Sequence, residues 1–311
     1  MAKFTIAIHG GAGTILKKEI TPEQEKAYTT ALNLALADGF AILEKGGTAV
    51  DAVRTAVVSL ENIDLFNAGK GSVFANDGSQ EMDAAIMDGQ TLKAGAVAAV
   101  KNIRNPIELA YTVMTQSDHV FLNGRGAEEF ARQNAIPFEP DEYFFTSLRY
   151  EQLKQAQEKG EMMLDHRPLN HDKKFGTVGA VACDASGNIA AATSTGGMTN
   201  KKFGRIGDSP LIGCGTYANN KTCAISCTGH GEPFIRAVTA YDVSCLMEYK
   251  NLSLEDAMRF VVHDKLPQLD AEGGMIGVDA QGHAALVFNS EGMYRGVKNN
   301  KGLHVVSIYK N

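Results

Sequence analysis

No stretch of this sequence approaches the roughly 20 consecutive apolar residues that span a bilayer, so a membrane-embedded protein is not expected. Positive charge is scarce as well: 30 Lys and Arg stand against 36 Asp and Glu, a net charge of −6. Without a basic face, nucleic acid and anionic lipid are poor partners, and a small polar substrate suits the chain better. Cysteine is absent before Cys183, and the five present (Cys183, Cys214, Cys223, Cys227 and Cys245) are odd in number. That argues against a disulfide framework and predicts buried reduced thiols. Cys223 and Cys227 lack a second Cys/His pair that would complete a zinc site. Near the start, His9-Gly10-Gly11 stops a short apolar run before a secretory core can form, so the expected location is the cytoplasm. What remains is an ordinary globular composition, 44% hydrophobic over 311 residues, enough for a large core.

The first half opens with a strand over Phe4 to Ile8 and a Gly-rich turn. Thr21-Pro22-Glu23-Gln24 then supplies an N-cap, a proline at the first helical position and a Gln able to close a capping box, with Gly46-Gly47 ending the helix. A second helix starts at Thr48 with Val53, Val57 and Leu60 on one face. Strands are expected at Ser72 to Phe74, Ala84 to Met87 and Ala94 to Val100, and short helices at Pro106 to Thr115 and Ala127 to Gln133. From about Tyr150 to Lys174 the chain turns polar, a helix end running into an exposed linker. The second half begins with the hairpin Thr177 to Cys183, turn, Ile189 to Thr195, and repeats the pattern at Met275 to Val278 and His283 to Phe288. Helices at Glu232 to Tyr249 and Ser253 to Val262 complete it. Strands and helices in both halves are buried most economically as two sheets packed face to face between helical layers.

The hairpin permits a geometric step. If it is symmetric about Ser186, Thr177 and Thr195 are equidistant from the turn and face each other, bringing two hydroxyls side by side at its open end. A Thr-Thr pair is also an ordinary feature of sheets. Thr177, however, lies where a polar linker meets a core strand, after the conformationally free Gly176. A threonine hydroxyl needs an adjacent base, and cutting the 176-177 peptide would release its own α-amine for that task. Ser226-Cys227-Thr228-Gly229-His230-Gly231-Glu232 reads as a strand entering a helix, where backbone N–H groups and the Thr228 hydroxyl can converge on an oxyanion. It reads equally as a plain strand-to-helix turn, and His230 more as a spectator than a base. Gly204-Arg205-Ile206-Gly207-Asp208 offers a cation for a carboxylate and an anion for an amine, or a surface ion pair.

Taken together, His9-Gly-Gly-Ala-Gly13, Leu65-Phe-Asn67-Ala-Gly-Lys-Gly-Ser72, Glu81-Met-Asp83-Ala, Gly176-Thr177-Val-Gly-Ala-Val, Thr193-Ser-Thr195-Gly-Gly-Met-Thr-Asn200, Gly204-Arg205-Ile-Gly-Asp208-Ser-Pro and Cys227-Thr228-Gly229-His-Gly231-Glu232 span the chain in order. The sequence thereby resembles the plant-type (type III) asparaginases, or isoaspartyl peptidases, of the N-terminal-nucleophile (Ntn) hydrolase superfamily. The resemblance implies an α+β fold, a four-layer αββα sandwich. It further implies self-cleavage between Gly176 and Thr177 into an α subunit (1-176, with the linker at about 150-175) and a β subunit (177-311). The two would form one domain, and two such αβ units a dimer. Thr177 would be the nucleophile, Thr195 its hydroxyl neighbour, Thr228 and Gly229 the oxyanion hole, and Asn67 the group that positions Thr177. Arg205 would hold the α-carboxylate of asparagine or a β-aspartyl dipeptide, Asp208 its α-amine, and Gly231 would contribute backbone. No cofactor would be needed for the chemistry. A structural sodium ion would lie on main-chain carbonyls within residues 60-70, those of Leu60, Glu61, Ile63, Phe66, Ala68 and Lys70.

A glycosylasparaginase would run the same chemistry on glycosylated asparagine, usually in a degradative or secretory compartment. A phosphate loop at His9-Gly-Gly-Ala-Gly13 lacks the following Gly-Lys-Ser/Thr and has the wrong glycine spacing for a dinucleotide fingerprint. An uncut, non-catalytic amino-acid-binding scaffold would not require every catalytic position to be intact.

Overall fold

The computed structural model describes residues 3-160 and 176-310. The N-terminal part contributes β1 (Thr5–Gly13), α1 (Pro22–Glu44), α2 (Ala49–Glu61), β2 (Met82–Asp88), β3 (Ala94–Val100), α3 (Pro106–Gln116), β4 (Phe121–Asn123), α4 (Gly124–Gln133), α5 (Asp141–Phe144) and α6 (Ser147–Lys159). The C-terminal part contributes β5 (Val178–Cys183), β6 (Ile189–Thr195), β7 (Thr216–Ala218), β8 (Cys223–Gly229), α7 (Gly231–Ala237), α8 (Thr239–Lys250), α9 (Leu254–Arg259), β9 (Gly273–Asp279), β10 (Ala284–Phe288), β11 (Gly292–Asn299) and β12 (His304–Tyr309).

The strands form an eight-stranded sheet ordered β12-β11-β1-β5-β6-β2-β3-β4 and a four-stranded sheet ordered β10-β9-β8-β7. Apolar side chains fall into three cores. Leu32, Leu36, Val53, Val57, Leu60 and Val113 from the first three helices cover Ile6, Ile8, Ala84, Val97 and Ala180 on one face of the large sheet. Ala7, Val181, Ile189 and Ala191 on its other face meet Ala224, Ile276 and Val278 of the small sheet. Ile225, Cys227 and Met275 on the far side of the small sheet pack under Phe234, Val243, Met258 and Val262. Period-2 alternation directs successive side chains of one strand to opposite cores, as with Ala180 and Val181.

Local chemistry explains the elements. α1 carries the full capping box: Gln24 N donates to Thr21 Oγ1 (3.2 Å) and Thr21 N to Gln24 Oε1 (3.0 Å). Thr48 caps α2 through Asp51 N. The β5–β6 hairpin has the expected symmetric register, with Val178 opposite Ser194 and Cys183 opposite Ile189. Its turn is held by Asp184 Oδ1, which accepts from Ser186 N and Asn188 N. All five cysteines are free and four are buried. Cys223 and Cys227 belong to the core under α8 and α9, where burial raises both thiols, Cys223 to about 12.

Four expectations need correction. The Gly-rich turn after Ile8 is a continuation of β1, with a bulge between His9 and Ala12 that absorbs the glycines while pairing with β11 continues. Residues 72-74 form no strand, because Val73 N and the Ser72 carbonyl are taken by the side chains of Asn67 and Gln80. The helix expected from Glu232 to Tyr249 is two, broken at Val238 in the left-handed region (φ 51°). The break turns Ala240 N and Tyr241 N onto the carbonyls of Cys214 and Gly213. α9 ends at Arg259 and passes into a π-helical turn over Phe260–Lys265. Of the linker expected at about 150-175, residues 150-159 belong to helix α6, which buries Gln152, Leu153 and Ala156, and residues 161-175 lie outside the described residues. Among the described residues no helix is long and apolar enough to cross a membrane.

Candidate active site

Thr177 and Thr195 stand at the open end of the β5–β6 hairpin, both buried. The Thr177 hydroxyl donates to Thr195 Oγ1 at 3.2 Å. Thr195 in turn donates to the carbonyl oxygen of Gly176 at 3.1 Å and accepts from Gly197 N at 2.9 Å. A second donor reaches the same carbonyl: Asn67 Nδ2 lies 2.8 Å from Gly176 O and 2.7 Å from Gly197 O. Asn67 is held in turn, since its Oδ1 accepts from Val73 N at 3.0 Å and its carbonyl accepts from Gly196 N. The peptide joining Gly176 to Thr177 thus has two donors on its carbonyl oxygen and a hydroxyl from its own C-terminal residue alongside.

Thr228 and Gly229 close β8. Ala12 N, from the bulged end of β1, donates to Thr228 Oγ1 at 3.3 Å, which fills one lone pair and leaves the hydroxyl hydrogen to donate elsewhere. Gly229 shares one cavity with Gly176, Thr177, Thr195, Arg205, Asp208 and Ser209. That cavity holds about 10 Å³, room for about one water. Larger hollows of about 310 and 380 Å³ lie away from these groups, the first beneath Phe74, Phe145 and Tyr150, the second between the starts of α2 and the 88-93 turn.

The charged wall is built from Arg205, Asp208 and the start of α7. Arg205 makes a two-point pair with Glu232, Nε to Oε1 at 2.9 Å and Nη2 to Oε2 at 2.8 Å. Partial burial pushes the Glu232 carboxyl up, but His230, at 3.2 Å, and Arg205 together hold it well below the usual carboxylate range. Asp208 is buried, and desolvation raises it to about 7 against the opposing pull of Arg205. Its Oδ2 has no hydrogen-bond partner among the described residues. Gly231 fits between the two because it lacks a side chain: a Cβ there would press on Arg205 Nη2 and Asp208 Oδ1. The sequence-derived residues Thr177, Thr195, Asn67, Arg205, Asp208, Thr228, Gly229 and Gly231 are therefore brought together.

The sequence reading gave no role to the side chains of Glu61, expected only as a carbonyl ligand, or to Arg149 and Lys201. Glu61, at the end of α2, is fully buried and accepts from Ser194 Oγ (2.6 Å) and Ile107 N (3.0 Å), and desolvation raises its carboxyl to about 8. Arg149 of α6 is buried and donates to Gly71 O (2.9 Å) and Leu65 O (3.4 Å), clasping the segment that carries Asn67. Lys201 is buried and donates to the carbonyls of Glu81 (2.7 Å) and Gly196 (3.0 Å). For Glu61 and Lys201 the available signal was a charged residue inside an otherwise apolar or glycine-rich stretch, which demands a partner without naming it; Arg149, beside a polar run, carried none. In the segment expected to hold sodium, a Cβ at Gly69 would collide with the Glu61 carbonyl oxygen, and one at Gly71 with that of Phe66. The two glycines thus let main-chain carbonyl oxygens of the segment approach closely, and neutral oxygens are the donor type a hard cation takes.

The sequence is similar to known proteins over nearly its full length. The family described as Asparaginase matches residues 2–308. An isoaspartyl peptidase of Escherichia coli (strain K12) is 54% identical over 297 residues, covering 95% of this chain and 92% of that protein. An isoaspartyl peptidase/L-asparaginase of Danio rerio is 43% identical, covering 92% and 89% respectively. One of Rattus norvegicus is 41% identical, covering 96% and 87%. With a matching family over nearly its full length and relatives of this similarity, the chain belongs to the asparaginase family of isoaspartyl peptidases.

Proposed function

We propose that this protein hydrolyses L-asparagine to aspartate and ammonia and cleaves β-aspartyl dipeptides, using Thr177 as a nucleophile exposed by self-cleavage. The observation that carries the reading is the double grip of Asn67 Nδ2 and Thr195 Oγ1 on the Gly176 carbonyl oxygen, with the Thr177 hydroxyl beside it. Those donors lie where negative charge develops when Thr177 Oγ1 adds to the Gly176 carbonyl carbon. Collapse of that adduct breaks the C–N bond and moves the acyl group from nitrogen to oxygen. Water then releases Gly176 as a carboxylate and leaves Thr177 with a free α-amine. Gly176 is one wall of the small cavity, so its departure enlarges the site that the substrate must enter.

In the cut form the α-amine takes the Thr177 hydroxyl proton as Oγ1 attacks the side-chain carbonyl carbon of asparagine or of a β-aspartyl unit. The oxyanion is met by the Thr228 hydroxyl and the Gly229 N–H. The proton passes to the departing nitrogen, giving ammonia or the amine of the next residue, and water hydrolyses the acyl-enzyme. Arg205 takes the substrate α-carboxylate, in competition with Glu232, and Asp208 takes the α-ammonium on its open Oδ2. Gly231 supplies backbone between them.

The reading extends to architecture. The three cores support a four-layer αββα sandwich of the Ntn-hydrolase type, with 1-176 and 177-311 as the subunits of one domain and two such units as a dimer. A sodium ion held by carbonyls of Leu60, Glu61, Ile63, Phe66, Ala68 and Lys70 would take no part in bond making. It would stiffen the segment that aims Asn67. Exchanging sodium for a large organic cation is expected to lower the melting temperature and slow the cut, and an unchanged melting curve would remove the ion from the scheme. The central test is a denaturing gel with N-terminal sequencing. Two fragments are expected, the smaller beginning at Thr177, and active material with an unbroken chain would overturn the proposal.

A further inference from the structure

The reading above gives His9 no task, yet this histidine is fully buried in β1. Its Nδ1 lies 2.9 Å from the carbonyl oxygen of Thr177, and its Nε2 lies 2.8 Å from Ser226 Oγ on β8. A carbonyl can accept but never donate, so Nδ1 carries the proton and Nε2 must accept from the Ser226 hydroxyl. Ser226 Oγ is 2.7 Å from Thr193 Oγ1 on β6, and Thr216 Oγ1 on β7 lies 2.6 Å from Thr193 Oγ1. Thr193 can therefore donate to Ser226, Ser226 to His9 Nε2 and His9 Nδ1 to the Thr177 carbonyl, each bond polarising the next. The single Thr216 hydrogen is shared between Thr193 Oγ1 and the carbonyl of Ser209, 3.0 Å away and next after Asp208. Burial pushes the His9 imidazole down to about 3, so it stays neutral and is neither an acid nor a base for the reaction.

The fold makes room for this chain. Gly179, paired with His9 across β1 and β5, would drive any Cβ into Ser226 Oγ and His9 Nε2. Four strands drawn from both sheets meet at these atoms. The β5–β6 ladder starts at Val178, one residue after the nucleophile. Once the 176-177 bond is open, Thr177 is a chain terminus, and termini fray unless they are tied down. Its carbonyl is the handle that remains: holding that oxygen fixes rotation about the Cα–C bond, and with it the directions of the α-amine and Oγ1.

We propose that His9, set in its Nδ1–H form by the Thr177 carbonyl and backed at Nε2 by Ser226 and Thr193, is a positioning residue for the cut enzyme, holding Thr177 by its carbonyl so that amine and hydroxyl stay in reactive alignment. The inference rests on Thr177 becoming an N-terminus, and its test is made on cut protein so that the two ideas can fail separately. In His9→Asn the amide nitrogen can take the place of Nδ1 and keep the tie to Thr177. In His9→Gln it takes the place of Nε2 and loses that tie. With L-asparagine as substrate, His9→Gln is expected to lower kcat by about 10²-fold, the scale of a misplacement near 1 Å. His9→Asn should stay within about tenfold of the natural protein, and KM should hold within about threefold in both, because Arg205 and Asp208 are untouched. Ser226→Ala, which strips the donor from Nε2 and leaves the ring free to tilt without emptying the core, is expected to lower kcat by about tenfold. Equal losses in the Asn and Gln variants, a loss confined to KM, or an unchanged kcat in Ser226→Ala would overturn the inference. So would folded but uncut protein in all three variants, since the tie would then serve the cut rather than its product. A natural protein that is active without being cut would instead overturn the underlying reading.

Discussion

Around Gly176 and Thr177 the polar groups are neutral and mutually satisfied, whereas a few residues away Asp208 keeps a buried carboxylate oxygen with no partner among the described residues. Under the proposed function the first region would act on a peptide already in place, so its donors can be completed by the fold itself. The second would take a ligand carrying its own ammonium and carboxylate, with the ammonium as partner for Asp208. A buried, under-satisfied carboxylate costs stability. The contrast suggests that the cutting machinery is built to be finished in advance and the recognition machinery to be finished by substrate.

The comparison can be broken most decisively at Thr177. Thr177→Ala is expected to give one full-length chain on a gel and to lose activity by at least about 10⁴-fold, and two bands with activity would dissolve the neutral half. Next in size, Asp208→Asn should lower kcat/KM by about 10²- to 10³-fold, the cost of removing one partner of a buried charge pair. The same variant should melt no lower than the natural protein, because it removes an unpaired buried charge. A marked fall in melting temperature would mean that Asp208 is a structural ion-pair member rather than a waiting ligand group.

The pH profile sharpens the same point. Burial raises the folded Asp208 carboxyl from its ordinary value to about 7, so the fold disfavours its charged form. The stability cost therefore grows as pH rises from the ordinary carboxylate range and is complete above about 7. Binding runs the other way, since ammonium needs the ionised form. With the Thr177 α-amine also required unprotonated, kcat/KM should fall by about a hundredfold per pH unit well below 7, and by about tenfold per unit in Asp208→Asn. Equal slopes would detach Asp208 from the substrate. The smallest effect is expected at Glu232, whose carboxylate competes for Arg205. Glu232→Gln should lower KM by about threefold, in line with a partly exposed pair, and a rise would mean that Glu232 aims Arg205 rather than occupying it.

What could be read from the residues follows the physics of side chains. The hairpin register was legible because a short symmetric turn fixes it, and that register alone faces Thr177 with Thr195. The capping box announced α1 because its signal is carried by side chains three residues apart. β12 was not foreseen: it is an edge strand with exposed residues at its start, so it shows little alternation. β11 mixes Gly, Arg and Lys and blurs its pattern similarly. The continuation of β1 through His9-Gly10-Gly11 was masked because glycine suggests a turn, while a bulge uses it inside a strand. The grip on Asn67 was hidden for a different reason. It runs through main-chain carbonyls, Gly196 N and a distant arginine, none of which leaves a local pattern.

The strand order of the large sheet has one more consequence. Read across, it takes two strands from beyond residue 177, one from before it, two from beyond and three from before. Opening the backbone at that point would leave two polypeptides interlocked like the fingers of clasped hands, with β1 zipped between β11 and β5 on both edges. Parting them would mean unravelling the sheet, so the pieces should travel through dilution and chromatography as one particle and melt in a single step.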